Sequence, residues 1–333
     1  MEKRIIKGVS MKQKSVLDFP AALSLCKKRG HFPGSETSRL QRTKTGLACI
    51  NFIFGGGIPH GRVIEIFGLE STGKSSLAAF IAKFFQVEKR CVLYLDYEHA
   101  VDLHYFRKIG LDTKSENLWL YDQPYSLEDG IDAATLLIKT GKIGLLIVDS
   151  VAAMAPEAEL EGTAHDQQIG LQARLMGKTL RILVGLLEKT KTTAIFINQL
   201  RDKVGTYVPM MITPGGKALK FHASVRIELK RPKSSPEENG LFLHRAIVRK
   251  QKTAIYQSTV VDFYVGANGI DVPQTTLYSL LSTGVLTCKG STYYYGNRVI
   301  GKGEEDALST IESDLALKQE LVTGLFGIWQ DNG

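Results

Sequence analysis

The sequence predicts an α/β fold with a largely parallel central sheet, a small helical appendage before it and a small α+β domain after it. Three observations carry that prediction. Apolar, strand-like runs alternate with helical stretches from Thr45 to about Gly269, the pattern of a sheet covered by helices. One run, Val63 to Phe67, leads into Gly68-Leu-Glu-Ser-Thr-Gly73-Lys74-Ser75 and then Leu77-Ala-Ala-Phe-Ile-Ala, a strand, loop and helix in succession. The 333 residues suffice for one large domain of roughly 200 to 250 residues with smaller additions.

Residues 1–44 are expected to form a basic helical segment. Val16-Leu17 and Ala21-Ala22-Leu23-Ser-Leu25 supply a short apolar stripe, and Gly30, Pro33 and Gly34 end it. Residues 45–270 form the core, with strands expected over Val63 to Phe67, Val92 to Asp96, Leu145 to Asp149, Ala194 to Asn198, Val225 to Leu229 and Leu243 to Val248. Between the last two, Arg231-Pro-Lys-Ser-Ser-Pro-Glu-Glu-Asn-Gly240 is polar and proline-bearing, as a hairpin loop is. Residues 271–333 form the third part: a helix, the tyrosine-rich Tyr293-Tyr-Tyr-Gly-Asn-Arg298, and an acidic helix near Glu304 to Leu321.

Composition narrows the class. With 44% hydrophobic and 23% charged residues the chain is ordinary for a soluble globular protein. No apolar run approaches the ~20 residues that span a bilayer. Met1-Glu-Lys-Arg-Ile-Ile-Lys7 has no apolar stretch of the secretory kind behind it, so a cytoplasmic location is expected. Cys26, Cys49, Cys91 and Cys288 lie far apart without a C-x-x-C pair, which argues against a zinc knuckle or disulfide framework and predicts buried thiols. The net charge of +8 is uneven: residues 1–44 carry +8, the stretch from Gly303 carries −6, and the body between carries +6. A basic body suits a polyanion such as nucleic acid, or a surface of solvated lysines.

Gly68 to Ser75 satisfies G-x-x-x-x-G-K-[ST] in its required strand-to-helix context, and it predicts ATP with Mg²⁺. In such a loop the backbone N–H groups along Glu70, Ser71, Thr72 and Gly73 and at the helix start, Ser76 included, face phosphate oxygens. Lys74 reaches the terminal phosphates and the Ser75 hydroxyl can ligate the metal. Leu145-Leu-Ile-Val-Asp149-Ser150 ends a strand in a carboxylate suited to the Mg²⁺ side of the site. Leu93-Tyr-Leu-Asp96-Tyr97-Glu98 ends another, and Glu98 is a candidate to orient the attacking water. Ala194-Ile-Phe-Ile-Asn198-Gln199 ends a third in amides that can sense a γ-phosphate, and the long stretch from Leu200 to Gly216 behind it reads as a functional or a disordered loop.

Together these pieces closely resemble the bacterial RecA recombinase family, from about Thr45 to Gly303. Besides the phosphate loop, the likeness is carried by Thr45-Gly46-Leu-Ala-Cys-Ile-Asn51, Asp96-Tyr-Glu98-His99-Ala, Val148-Asp149-Ser150-Val-Ala-Ala153, Gly170-Leu-Gln-Ala-Arg174-Leu-Met176, Asn198-Gln199-Leu-Arg201 and Gly215-Gly216-Lys-Ala-Leu-Lys-Phe221-His-Ala-Ser-Val-Arg226, in family order. The resemblance implies a RecA-like ATPase core, with residues 1–44 used in polymerisation. It implies that Asp102 bonds the adenine and Tyr105 stacks on it, and that Gln199 couples the γ-phosphate to a DNA-binding loop over about 200–216. It implies a shorter DNA loop over about 160–169 with Ile169 near the bases, and Arg174, Arg201, Lys203 and Arg226 at the DNA backbone beside Gly215 and Gly216. Lys250 and Lys252 match a pair on one side of a strand that reaches the ATP of the next subunit, with Phe221 at the intersubunit relay.

The implied function is a DNA-dependent ATPase that forms a homo-oligomeric helical filament on single-stranded DNA and exchanges strands with homologous double-stranded DNA in recombination and repair. The resemblance extends to DNA damage signalling, the SOS response, through a LexA-like repressor. The sequence also departs from the family pattern: Leu69 stands where the family has Pro, the 200–216 loop is one residue shorter, and the hairpin over 232–240 is shortened. The alternative is a RecA-like DNA-binding regulator that lacks strand exchange. A hexameric helicase is disfavoured by Glu98-His99, Arg174 and the C-terminal segment.

Overall fold

The computed structural model describes residues 40–162, 170–202, 211–232, 237, 239–254 and 259–331. The helical segment expected before residue 40, Cys26, Ile169 and Lys203 lie outside the described residues. From Gln41 onward the chain is one compact unit.

Strands β1 (Arg42–Thr43) and β2 (Ile58–Pro59) pair around helix α1 (Ala48–Ile53). There follow β3 (Val63–Gly68), α2 (Lys74–Val87), β4 (Cys91–Asp96), α3 (Leu103–Ile109), β5 (Leu118–Asp122), α4 (Leu127–Lys139) and β6 (Ile143–Asp149). After α5 (Glu157–Glu161) come α6 (Leu171–Thr190), β7 (Thr193–Gln199), the short pair β8 (Arg201–Asp202) and β9 (Met211–Ile212), and α7 (Ala218–His222). The core closes with β10 (Val225–Lys230), β11 (Phe242–Gln251), β12 (Val260–Gly266) and β13 (Gly269–Asp271). Helix starts follow local chemistry: Ser126 Oγ accepts the Asp129 N–H at α4, and Asp102 Oδ1 accepts the His104 N–H at α3.

Among the described residues the main sheet has nine strands in the order β13-β12-β11-β10-β3-β7-β6-β4-β5. From β10 to β5 every neighbour is parallel, whereas β11, β12 and β13 add on antiparallel. All residues of β3 and β6 are buried, which is why these strands are continuous apolar runs. Ile64, Ile66, Ile147 and Ile195 pack on one face against Leu77, Phe80 and Ile81 of α2. Val63, Leu146, Val148 and Phe196 pack on the other against Leu180, Leu183 and Leu187 of α6 and Ile131 of α4. Register aligns Gly68 with Gln199 and Asp96 with Asp149. Four chain segments thus deliver their ends to one edge of the sheet, where a parallel sheet holds its ligands.

Beyond β13, helix α8 (Val272–Ser282), the three-stranded sheet β14 (Thr287–Lys289), β15 (Thr292–Tyr295) and β16 (Arg298–Lys302), and helices α9 (Glu304–Ser313) and α10 (Leu315–Asp331) surround their own small core of Leu277, Leu280, Ile300, Ile311 and Leu321. The single acidic helix expected over Glu304 to Leu321 is two helices. Asp314 leaves helical geometry (φ −96°, ψ 92°), and its Oδ1 accepts the Leu317 N–H at 2.9 Å. Helix α10 returns to the main core, where the Phe326 and Trp329 rings lie 5.5 and 5.0 Å from that of Phe52 on α1. The segment after Asp271 therefore shares the compact unit of the core. The thiols also differ from expectation: Cys49 is buried, with burial pushing its thiol up to about 12, but Cys91 is half-buried and Cys288 exposed. No helix among the described residues is long and apolar enough to cross a membrane.

Candidate active site

The turn from β3 into α2 wraps a cavity of about 350 Å³ lined by Glu70, Ser71, Thr72, Gly73, Lys74, Ser75, Ser76, Glu98, Asp149 and Gln199. Gly68 opens the turn where nothing larger fits, since a Cβ there would collide with the carbonyl oxygen of Leu229 on β10. Gly73 caps α2 with φ 81°, in the left-handed region that glycine adopts without steric cost. The start of α2 consequently points its free N–H groups into the cavity, a favourable setting for phosphate. Lys74 Nζ donates to Leu69 O at 2.7 Å from a buried position. Burial lowers its pKa, while Glu98, Asp149 and Glu70 pull it back up.

Asp149 Oδ2 accepts two hydroxyls, Ser75 Oγ at 2.7 Å and Tyr94 OH at 2.6 Å. Burial still raises the Asp149 pKa against these two bonds, and Glu98 and Asp96 add to the rise. The other oxygen, Oδ1, is buried without a hydrogen-bond partner. An orphaned buried oxygen beside a hydroxyl is a donor set that a hard cation would satisfy. Among the described residues no group of three or more His, Cys, Asp or Glu could hold a metal alone. Across the cavity, Glu98 Oε1 accepts from Gln199 Nε2 at 2.6 Å and from the Ser150 hydroxyl. A carboxylate held by two donors, next to a lysine and a phosphate-binding turn, can orient water toward a phosphoryl group.

The family model described as the RecA N-terminal domain matches residues 31–271. The chain belongs to the RecA family. Protein RecA of Chlorobium limicola is 38% identical over 293 residues, covering 86% of this chain and 83% of the relative. Protein RecA of Thermus thermophilus is 38% identical over 285 residues, covering 84% and 83%. Protein RecA of Fusobacterium nucleatum is 36% identical over 312 residues, covering 90% and 81%. The chain is thus a RecA-family ATPase of DNA recombination and repair, and the regulator alternative is not favoured. RecA-family proteins use ATP with Mg²⁺.

Other residues that the RecA resemblance singled out are more dispersed. Asp102 is exposed at the start of α3, where hydrogen bonds from the Tyr105 and His104 backbone lower its pKa, and it lies outside the cavity lining. Tyr105 is half-buried beside the cavity with its hydroxyl 2.7 Å from Ser76 Oγ. Arg174 on α6 and Arg201 on β8 are exposed. Gly215 is buried against Val151, and Gly216 is exposed next to it.

Two expectations need correction. Arg226 is not a surface cation: only 8% exposed, it pairs through Nε with Glu65 and holds its guanidinium 4.5 Å from the Phe67 ring centroid. Of the lysine pair only Lys250 lies within β11, which ends at Gln251, and the Lys252 N–H continues the pairing one residue further by donating to Ser224 O at 2.9 Å. Lys250 Nζ donates to the carbonyls of Lys220 and Phe221 at 2.7 and 2.9 Å. Phe221 itself is 68% exposed.

Sequence reasoning missed three supporting residues. Tyr94 fixes Asp149 and Ser150 fixes Glu98. His244 on β11 stacks on Phe263 and places Nδ1 2.9 Å from Thr72 O beneath the phosphate loop. With the loop carbonyl as acceptor, Nδ1 carries the proton. Burial lowers the His244 pKa, which keeps the ring neutral near pH 7, although the bond to Thr72 opposes that shift.

Proposed function

We propose that the chain hydrolyses ATP at the Gly68–Ser75 cavity while polymerised on single-stranded DNA, and that it pairs this DNA with a homologous duplex and exchanges strands. The observation that carries the reading is the 2.6 Å hydrogen bond from Gln199 Nε2 to Glu98 Oε1. Gln199 ends β7 immediately before the 200–216 stretch. One amide therefore touches the candidate base and heads the candidate DNA loop.

In this reading Lys74 meets the terminal phosphates, and the backbone N–H groups of the loop and α2 hold the rest. Ser75 and Asp149 would hold Mg²⁺, which when bound would offset charge developing on the phosphoryl oxygens. Glu98, aimed by Ser150, orients water and accepts its proton. A γ-phosphate in the cavity would compete with Glu98 for the Gln199 amide, and so would act on the end of β7 that carries it. Tyr105 and Asp102 would flank the base. Lys250 and Lys252 would reach the ATP of the next subunit, which makes turnover depend on the filament, as an arginine finger supplied in trans does. Arg174, Arg201, Lys203, Ile169, Gly215 and Gly216 would line the path of single-stranded DNA, with residues 1–44 mediating polymerisation and 271–333 forming a C-terminal domain. Sequence would be read by base pairing, so that phosphate contacts supply affinity alone. Activation of a LexA-like repressor is an extension of the same filament activity.

Hydrolysis measured with and without single-stranded DNA across a salt series tests this reading. The expected result is DNA-stimulated turnover whose stimulation weakens as salt rises, because phosphate contacts release counterions. Turnover indifferent to DNA would overturn it. Joint-molecule formation with a homologous duplex separates strand exchange from DNA-stimulated hydrolysis alone.

A further inference from the structure

Glu65 lies fully buried on β3, three residues before Gly68, and its two carboxylate oxygens hold different parts of the molecule. Oε1 accepts from Asn198 Nδ2 at 3.2 Å, and the same amide nitrogen donates to Pro214 O at 3.1 Å, next to Gly215. Asn198 Oδ1 in turn accepts the backbone N–H of Gln199 at 3.0 Å. Oε2 pairs with Arg226 Nε. Arg226 is the direct sheet partner of Lys250 on β11. A single side chain therefore bridges the strand end that carries Gln199 and the β10–β11 pair that carries Lys250.

Stability alone is a poor reason for such a group. Apolar residues of similar volume often replace a buried ion pair at no loss or with a gain. We propose that Glu65 is a positioning residue for hydrolysis, fixing the Asn198–Gln199 strand end against the Arg226–Lys250 strand pair so that the sensor of one ATP and the cation offered to the next move as one body. This rests on the roles given above to Gln199 and Lys250. Electrostatics point the same way: burial, then Lys252 and Arg226, bring the Lys250 ammonium down to about 8, and Glu65 opposes them.

The test compares wild type, the double variant Glu65→Gln/Arg226→Gln, the conservative Arg226→Lys, and Lys250→Ala. The double variant removes both charges together and leaves amides able to bond across the same gap, which avoids stranding one buried ion. Steady-state hydrolysis with saturating single-stranded DNA gives kcat and KM, and a fluorescent ATP analogue gives the affinity of the isolated subunit. The expected result for the double variant is analogue affinity and KM within about twofold of wild type and a kcat lowered about tenfold or more, with Arg226→Lys retaining most of kcat. An unchanged kcat overturns the inference, and so does a parallel loss of kcat and analogue affinity, which would mark a collapsed site. Full turnover in Lys250→Ala overturns the in-trans reading beneath it. Lost turnover in Lys250→Ala with full turnover in the double variant overturns the role of Glu65 alone.

Discussion

Gln199 and Ser150 donate to the same oxygen of Glu98, Gln199 Nε2 at 2.6 Å. Two donors arriving from different strand ends fix the direction of an otherwise exposed carboxylate. If that carboxylate is the base, Glu98→Gln should keep nucleotide binding and lose turnover by about 10²- to 10⁴-fold, the usual contribution of general-base catalysis. Nucleotide titration beside steady-state hydrolysis measures both. Turnover within a few-fold of wild type would remove Glu98 from this role.

Ser150 is fully buried, and its hydroxyl is the inner of those two donors. A hydrogen bond to a charged group contributes about 1.5–3 kcal/mol. Ser150→Ala should therefore lower kcat by about 10- to 100-fold, less than the upper range for Glu98→Gln, while leaving KM for ATP nearly unchanged. A change in KM alone would mean that Ser150 shapes the phosphate pocket and not the base.

The strand–turn–helix around Gly68–Ser75 was legible in sequence because its parts are contiguous: strand, glycine turn, lysine and helix follow one another. Strands β3, β4, β6 and β7 were legible because burial on both faces leaves continuous apolar runs. β5 was missed because an edge strand need not be apolar throughout, and Leu118–Asp122 carries the 55% exposed Trp119. β12 was missed because Asp262 interrupts it, a carboxylate that Arg245 on the neighbouring strand satisfies at 2.7 and 2.8 Å. Arg226 was misread for a related reason. A lone cation in a strand looks exposed until strand order sets Glu65, 161 residues earlier, beside it. Tyr94, Ser150 and His244 act through single long-range bonds that leave no local pattern.

Breaking the Glu65–Arg226 pair by removing one partner should be costly. Side-chain exposure is 9% for Arg226 and 1% for Glu65. Removing one member of such a pair leaves an unmatched buried charge and costs about 3–5 kcal/mol. Arg226→Ala is expected to lose that much in urea unfolding. Arg298→Ala, which breaks the exposed pair with Asp314 at 3.0 Å, should lose far less, because solvent screens such a pair. Equal losses in the two variants would show that the buried pair is not held as described.

Asp149 offers a partnerless buried Oδ1 beside the Ser75 hydroxyl. Asp149→Asn keeps an acceptor for Tyr94 and Ser75 but loses the charge that a divalent cation would meet. The Mg²⁺ concentration for half-maximal hydrolysis should rise by about tenfold or more, and chelation should abolish turnover in wild type. An unchanged Mg²⁺ requirement would move the metal away from Asp149.

Lys250 supplies a prediction in pH. Burial, followed by the charges of Lys252 and Arg226, lowers its ammonium from 10.5 to about 8. The charged fraction therefore falls as pH rises through 8, whereas an ordinary lysine stays charged until well above that. If the cation acts on the ATP of the next subunit, DNA-stimulated hydrolysis should be full near pH 7 and decline through pH 8. Lys250→Arg, whose guanidinium stays protonated in this range, should carry activity to higher pH. The same shift acts on stability with the opposite sign. Between about 8 and 10.5 the unfolded chain binds the proton more tightly, so the contribution of Lys250 grows with rising pH and is lost as pH falls through 8. Activity and stability should thus move apart on the alkaline side. An alkaline limb that Lys250→Arg leaves in place would show that another group sets it, and that Lys250 is not the cation turnover requires.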